Sequence, residues 1–142
     1  MHVNGVIFGA FSSLFIGLCY YIVPRLAGVK LVWPWLGHWL VWVWNLGVFA
    51  GLVALVLGYN QGQEANEFPL PVDIFIFIAI AALTAQFLVS LSRRRFQALY
   101  VSSWYLIATF VWTTLNLIMG FFILPYSLPG INNAAFHGLF LH

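Results

Sequence analysis

Four long apolar stretches, at about 4–23, 39–59, 73–92 and 100–124, carry no Lys, Arg, Asp or Glu in their interiors. About 20 apolar residues suffice for a helix to cross the hydrocarbon core of a membrane. Only 6% of the residues are charged, against about 25% in soluble domains. The sequence therefore predicts an all-α polytopic transmembrane helix bundle. It forms a single membrane domain over residues 1–142, with four full spans and the start of a fifth.

The charged residues are divided between the two ends of this predicted bundle. Threading the chain back and forth places the first and third connections on one side, and these hold all five basic residues: Arg25, Lys30, Arg93, Arg94 and Arg95. The acidic residues fall on the opposite side: Glu64, Glu67 and Asp73. By the positive-inside rule the basic side is cytoplasmic, which places His2 and His142 toward the outer side. The arginine run is either a topology determinant or a binding site for lipid headgroups.

Proline, aspartate and tryptophan mark the expected helix ends. Pro24 and Arg25 should close the first helix, and a loop at 26–38 should carry His38 to the membrane interface. Asp73 can cap the third helix. Three tryptophans crowd the start of the second helix: Trp39, Trp42 and Trp44.

The fifth predicted helix, at 132–142, is short for a membrane span. At 1.5 Å per residue it reaches about 15 Å, half of a hydrocarbon core of roughly 30 Å. A chain terminus there would put a carboxylate in lipid, at a cost of several kcal/mol. We therefore expect the chain to be a fragment of a longer subunit or one part of a split one.

Small residues recur every fourth position in the first helix, at Gly5, Gly9, Ser13 and Gly17, and His2 lies three residues before the first of them. Such a stripe suits close packing against a neighbouring helix. It also suits a flat prosthetic group that lies against the helix and is bound by His2. The residues alone favour packing and leave both alternatives open.

Histidine is the main candidate for chemistry, because the sequence has no catalytic triad, paired carboxylates or glycine-rich phosphate loop, and no catalytic residue is assigned. Imidazole is a common ligand of heme iron and transition metals. His137 and His142 are five residues apart, so they point about 140° from each other and cannot share one metal. Two roles are open for the uncharged polar residues of the spans, hydrogen bonding to a cofactor or water and hydrogen bonding between helices. These residues are Asn45, Thr84, Gln86, Thr109, Thr113, Thr114 and Asn116.

Several motifs resemble the catalytic subunit of cbb-type heme-copper oxygen reductases. HVNGVIFG at 2–9 and YYIVPR at 20–25 resemble its second transmembrane helix. GYNQGQE at 58–64 and YVSSWY at 100–105 resemble its next outer loop and its fifth helix. The helix that begins at Asn132 and reaches His142 resembles its sixth, although Leu141 stands where the family usually has Gly. The resemblance covers essentially the whole chain, as helices two to six of about twelve.

The resemblance implies that His2 is an axial ligand of a low-spin heme b, that Gly5, Gly9 and Ser13 face this heme, and that His142 is a copper ligand. Electrons would pass through this heme to a heme-copper centre that reduces dioxygen, with a cytochrome c-type donor. The other ligands lie outside this chain, so it would act only with the remaining oxidase helices or subunits. Lipid is a further partner, nucleic acid is not, and the expected location is a bacterial or archaeal cytoplasmic membrane. The alternatives are a nitric oxide reductase and a non-catalytic membrane subunit that anchors or assembles a larger complex.

Overall fold

The structure, a computed structural model, describes residues 4–60, 67–95 and 98–123. Within these ranges it contains four helices of 23 residues each: α1 (Gly5–Ala27), α2 (Pro34–Val56), α3 (Leu70–Ser92) and α4 (Val101–Ile123). Each is about 34 Å long, enough to cross the hydrocarbon core. The prediction of an all-α polytopic bundle with four spans is confirmed. The predicted fifth helix, with His137 and His142, lies outside the described residues.

The end of α1 differs from the prediction, because the helix continues through Pro24 to Ala27. A proline has the φ angle of a helix, and in the last turn it removes only one backbone hydrogen bond. Gly28, which follows, has a φ of 65°, and this left-handed conformation ends the helix in the way glycine commonly does.

The start of α2 lies five residues earlier than predicted, at Pro34. Proline suits the first helical position, where its missing N–H would have no partner within the helix. His38 therefore lies in the first turns of α2 and not in a loop. Its Nδ1 is 3.1 Å from the carbonyl oxygen of Pro34, and the side chain is exposed.

The start of α3 also corrects the prediction, because Asp73 does not cap this helix. Pro69 occupies the cap position, and Asp73 lies fully buried in the first turn. The backbone N–H of Asp73 donates to the carbonyl of Pro69. A carboxylate in the first turn is still favourable, because the helix dipole is positive there.

Helix α3 lies at the centre of the bundle. Half of its most apolar stretch is buried, against 11–22% for the other three helices. Phe87 of α3 joins two neighbouring helices, since its ring centroid lies 5.1 Å from that of Tyr20 on α1 and 4.9 Å from that of Phe110 on α4. The core of the described bundle is therefore built around α3.

Two contacts fix which connections share an end of the bundle. The backbone N–H of Arg95, after α3, donates to the carbonyl of Ala27 at the end of α1, over 2.9 Å. At the opposite end, Asn4 Nδ2 donates to Glu67 Oε2 over 2.8 Å. The five basic residues therefore lie at one end, and Glu67 and Asp73 lie at the other. This division agrees with the predicted topology. Which end is cytoplasmic and which is outer stays a prediction.

A packing contact between α2 and the residue before α3 gives a first testable prediction. A Cβ on Gly51 would lie 2.7 Å from the buried Phe68 ring, whereas one on Gly47, a turn away, would lie 3.9 Å from its nearest neighbour. We expect Gly51→Ala to lower the free energy of unfolding by about 1–3 kcal/mol, because the ring must move.

The measurement is detergent unfolding of the intact protein, with Gly47→Ala as the matched control. That variant should be neutral or stabilised by up to about 1 kcal/mol, because alanine favours helix more than glycine does. Equal unfolding curves for the two variants would contradict the close packing of Gly51 against the Phe68 ring.

Candidate functional site

The predicted site residues fall partly within the described structure. His2 and His142 lie outside the described residues, while Gly5, Gly9 and Ser13 lie on α1. A Cβ placed on Gly5 would lie 3.7 Å from Leu52 Cδ2, and one on Gly9 would lie 3.7 Å from Val48 Cγ1. Both glycines therefore face α2, and a methyl group at either position would meet it at ordinary van der Waals distance. Their geometry suits the packing alternative, and their role at a heme stays a prediction.

The first part of α1, Gly5–Phe11, is a π-helix. The backbone N–H of Ser12 bonds to the carbonyl of Ile7, five residues back, and the Ser12 hydroxyl donates to the same oxygen over 2.7 Å. A turn with this hydrogen-bond pattern is wider than an α-helical turn. Gly5 and Gly9 face α2, and farther along Ser13 and Gly17 line a groove that α2 also borders. Nothing in the residue pattern indicated the π-helix.

Trp44 attaches the π-helical segment to α2. Its indole Nε1 donates to the carbonyl of Phe8 over 3.0 Å, and its side chain is buried. Trp39 and Trp42, by contrast, are exposed. Trp44 lies two residues after Trp42, which places it about 200° around the helix. Grouping Trp44 with the two interfacial tryptophans was therefore misleading. The helical spacing does place Trp44 on a different side of the helix from Trp42.

A groove of about 290 Å³ lies between α1, α2 and α3. Its lining includes Ser13, Gly17 and Tyr20 from α1, with Trp44 and Leu83 opposite. The Ser13 hydroxyl oxygen is buried and makes no hydrogen bond within the described residues.

A second apolar surface lies near the start of α1. Val6, Ile7 and Phe11 of α1 are 46–71% exposed and are within nine residues of His2. These side chains present an apolar face of the kind that a porphyrin requires, on the exposed side of the helix. This face suits an apolar neighbour, whether a helix, lipid or a prosthetic group, and Gly5 and Gly9 face α2.

The buried polar residues of α3 join other elements of the bundle. Gln86 Nε2 donates to the carbonyls of Val32 and Trp33, over 2.9 and 3.0 Å, while Gln86 Oε1 accepts from the Tyr20 hydroxyl over 2.8 Å. Ser90 Oγ accepts from the backbone N–H of Val32. We define these residues, Tyr20, Val32, Trp33, Gln86 and Ser90, as the polar clamp. It fixes the connection between α1 and α2 onto α3.

The other intramembrane polar residues differ in their partners. Thr84 Oγ1 lies 3.0 Å from Thr114 Oγ1, which joins α3 to α4. Asn45 and Thr109 donate to carbonyls one turn back in their own helices, while Asn116 is exposed. Within the ranges that the structure describes, no three His, Cys, Asp or Glu side chains group as ligands of one metal ion.

Comparison with known proteins identifies the family. The sequence profile described as Cytochrome C and Quinol oxidase polypeptide I matches residues 1–141. The chain belongs to this family. Its relatives include the Cbb3-type cytochrome c oxidase subunit CcoN1 of Stutzerimonas stutzeri, 30% identical over 105 residues, which are 74% of this chain and 22% of that protein.

Two further bacterial members of the oxidase family are similar over most of the chain. The cytochrome c oxidase subunit 1 homolog of Agrobacterium tumefaciens (strain T37) is 27% identical over 140 residues, 98% of this chain and 26% of that protein. Cytochrome c oxidase subunit 1 of Rhodobacter capsulatus is 26% identical over 131 residues, 92% of this chain and 25% of that protein. The oxidase-family chain thus spans about a quarter of the length of these relatives. The resemblance to the N-terminal portion of subunit I is confirmed.

Proposed function

We propose that this chain is part of the catalytic subunit of a cbb-like cytochrome c oxidase. In the intact oxidase, a low-spin heme b and a heme-copper centre would supply the electron transfer that reduces dioxygen to water. The observation that carries this proposal is the family match over residues 1–141, on a bundle of four membrane-spanning helices. The chain acts only as part of a larger subunit or complex.

His2 would hold the low-spin heme through its imidazole, and His142 would hold copper. When bound, the hemes and copper provide the one-electron and dioxygen chemistry that the side chains of this chain lack. Gly5, Gly9 and Ser13 were predicted to face the heme. Because Gly5 and Gly9 face α2, the exposed side chains of Val6 and Ile7 are better placed to be neighbours of the heme.

Asn4 anchors the end of α1 that carries His2. Asn4 is buried, its Nδ2 donates to Glu67 Oε2, and its Oδ1 makes no hydrogen bond within the described residues. This contact ties the first turn of α1 to the connection that precedes α3. The position of the helix end, two residues after His2, is thereby held against the rest of the bundle.

The partners and location follow from the same proposal. The remaining oxidase helices or subunits cover the exposed faces of this bundle, and a cytochrome c-type protein donates the electrons. The protein spans a bacterial or archaeal cytoplasmic membrane several times. Because the basic residues gather at one end, His2 and His142 lie toward the outer side.

The test is His142→Ala in the intact oxidase. We expect copper, measured by mass spectrometry, to be lost from the binuclear centre and dioxygen consumption to fall to background. The low-spin heme b absorbance should remain, since its ligand is a different histidine.

His38→Ala is the control, because His38 is exposed at the basic end of the bundle. Full copper occupancy in His142→Ala would contradict the assignment of this ligand. Absence of heme and copper from the wild-type complex would support a non-catalytic membrane subunit, and nitric oxide reduction without oxidase activity would support a nitric oxide reductase.

A further inference from the structure

The carbonyl oxygen of Phe8 lies where the π-helical part of α1 gives way to the α-helical part. The backbone N–H of Ser12 bonds to Ile7, five residues back, and not to Phe8, four residues back. In the α-helical register that begins at Ser12, the N–H of Ser13 reaches back four residues to Gly9. The backbone of the helix therefore passes over the Phe8 carbonyl, which needs a donor from elsewhere.

Trp44 of α2 supplies that donor. Its indole Nε1 donates to the Phe8 carbonyl over 3.0 Å, and the Trp44 side chain is 5% exposed. The Phe8 ring lies near the same indole, with 6.4 Å between the ring centroids. A carbonyl without a partner is costly in the membrane interior, where no water replaces the missing bond. The indole therefore stabilises the π-helical turn at this position of α1.

The contacts at the start of α1 depend on the register that Trp44 stabilises. Gly5 and Gly9 face α2, and Asn4 Nδ2 donates to Glu67 Oε2 over 2.8 Å. A π-helical turn holds one residue more than an α-helical turn, because each hydrogen bond spans five residues instead of four. If the segment became α-helical without losing a residue, its start would rotate by about 100° relative to the rest of α1. Asn4 would then point away from Glu67.

We propose that Trp44 is a positioning residue, whose indole holds the π-helical turn in place and thereby fixes the side of α1 on which the residues before Gly5 project. His2 is one of those residues, three positions before Gly5. For heme ligation by His2, the inference rests on the proposed function. The effect of the indole on the register of the helix is independent of any heme.

The test combines Trp44→Phe with deletion of Ala10, an exposed residue of the π-helical segment. In Trp44→Phe the Phe8 carbonyl loses its donor, so we expect the unfolding equilibrium constant of the intact oxidase in detergent to rise about tenfold. Deletion of Ala10 lets the segment become α-helical with Asn4 still directed at Glu67, and the Phe8 carbonyl then regains a partner within the helix. The combined variant should recover most of the lost stability.

Deletion of Leu18 in the Trp44→Phe background is the matched control. Leu18 is also exposed and lies on α1, but its removal shifts Phe15 and Ile16, which pack against the core, by one position. This control should recover no stability. A cavity left by the smaller phenylalanine ring would remain after deletion of Ala10, so recovery reports the register of the helix and not the packing of residue 44.

The low-spin heme spectrum tests the consequence for His2. In Trp44→Phe we expect the g values of the low-spin electron paramagnetic resonance signal to shift, because they depend on how the axial ligand is held. In the variant that also lacks Ala10 they should return toward those of the wild type. A change confined to stability, as expected of a merely structural residue, would leave the g values where they are.

Two results would overturn the proposal. Equal stability of Trp44→Phe with and without Ala10 would show that the indole does not set the register of α1. Unchanged g values in Trp44→Phe, with the low-spin heme lost in His2→Ala, would show that Trp44 does not position His2. A low-spin signal that survives in His2→Ala would instead refute the ligand assignment, and the recovery of stability would still test the effect of Trp44 on the helix.

Discussion

In the intact oxidase, His2→Ala is expected to abolish the low-spin heme b signal. Under the proposed assignment the mutation removes an imidazole that holds the heme, and an iron without it would leave the low-spin state or lose its heme. The reduced-minus-oxidised absorption spectrum should lose its low-spin b band, and the low-spin electron paramagnetic resonance signal should disappear. Dioxygen consumption should fall to background, because electrons then have no route to the heme-copper centre.

The control for this variant is again His38→Ala. His38 lies on α2 near the basic end and is exposed, with Nδ1 directed to a carbonyl of its own helix. Its loss should leave both signals unchanged. Copper content should be normal in both variants, which separates loss of the heme from loss of the whole fold. A normal low-spin signal in His2→Ala would show that His2 is not the ligand.

Gln86→Leu is expected to destabilise the bundle by about 2–4 kcal/mol, the largest effect on stability of the changes considered. The substitution leaves the carbonyls of Val32 and Trp33 and the hydroxyl of Tyr20 without their partner. Each unsatisfied buried polar group costs about 1–3 kcal/mol, although hydrogen bonds in membrane proteins average nearer 0.6 kcal/mol. Leucine has a similar size, so the effect reports the hydrogen bonds more than the packing.

The backbone of Trp33 adds to the effect expected for Gln86→Leu. Trp33 has φ 49° and ψ 61°, a left-handed conformation that is unfavourable for a bulky residue, and especially for one before proline. The Gln86 amide bonds to the carbonyl of this residue. Such a conformation persists only where surrounding contacts hold it. Loss of the amide should therefore loosen the connection between α1 and α2.

Two measurements check the role of Gln86. Detergent unfolding of the intact protein gives the stability, and the rate of trypsin cleavage after Lys30 reports opening of the connection. Asn45→Leu is the matched control, because this exposed amide bonds only to a carbonyl of its own helix among its described contacts. An equal effect of Asn45→Leu and Gln86→Leu would contradict a specific role for the polar clamp.

The sequence did not predict where the helices end or which groups the polar side chains would bond to. Pro24 was predicted to close the first helix and Pro34 was placed in the loop at 26–38, yet Pro24 lies in the last turns of α1 and Pro34 at the first position of α2. The partners of Gln86 and Trp44 are distant in the chain. Spacing along one helix cannot identify such partners, because it contains no information about which helices are neighbours.

The candidate site was predicted mainly from resemblance, and the structure changed how α1 is understood. The first part of α1 is π-helical and turns less than 100° per residue, which the spacing argument did not anticipate. Gly5 and Gly9 face α2, and Ser13 lines a groove that α2 also borders. The roles of His2 and His142 stay predictions that the spectra and metal contents described above test.

The sequence by itself determined that the chain spans a membrane as helices and that its cations gather at one end. Uncharged apolar stretches of this length leave the backbone no stable state in hydrocarbon other than a helix, and this property is local. The tertiary structure alone decided that α3 is central, that Gln86 holds the first connection, and that the connection after α3 lies against the end of α1. These features depend on contacts between residues that are 50 or more positions apart or on different helices, and such contacts form only when the bundle packs.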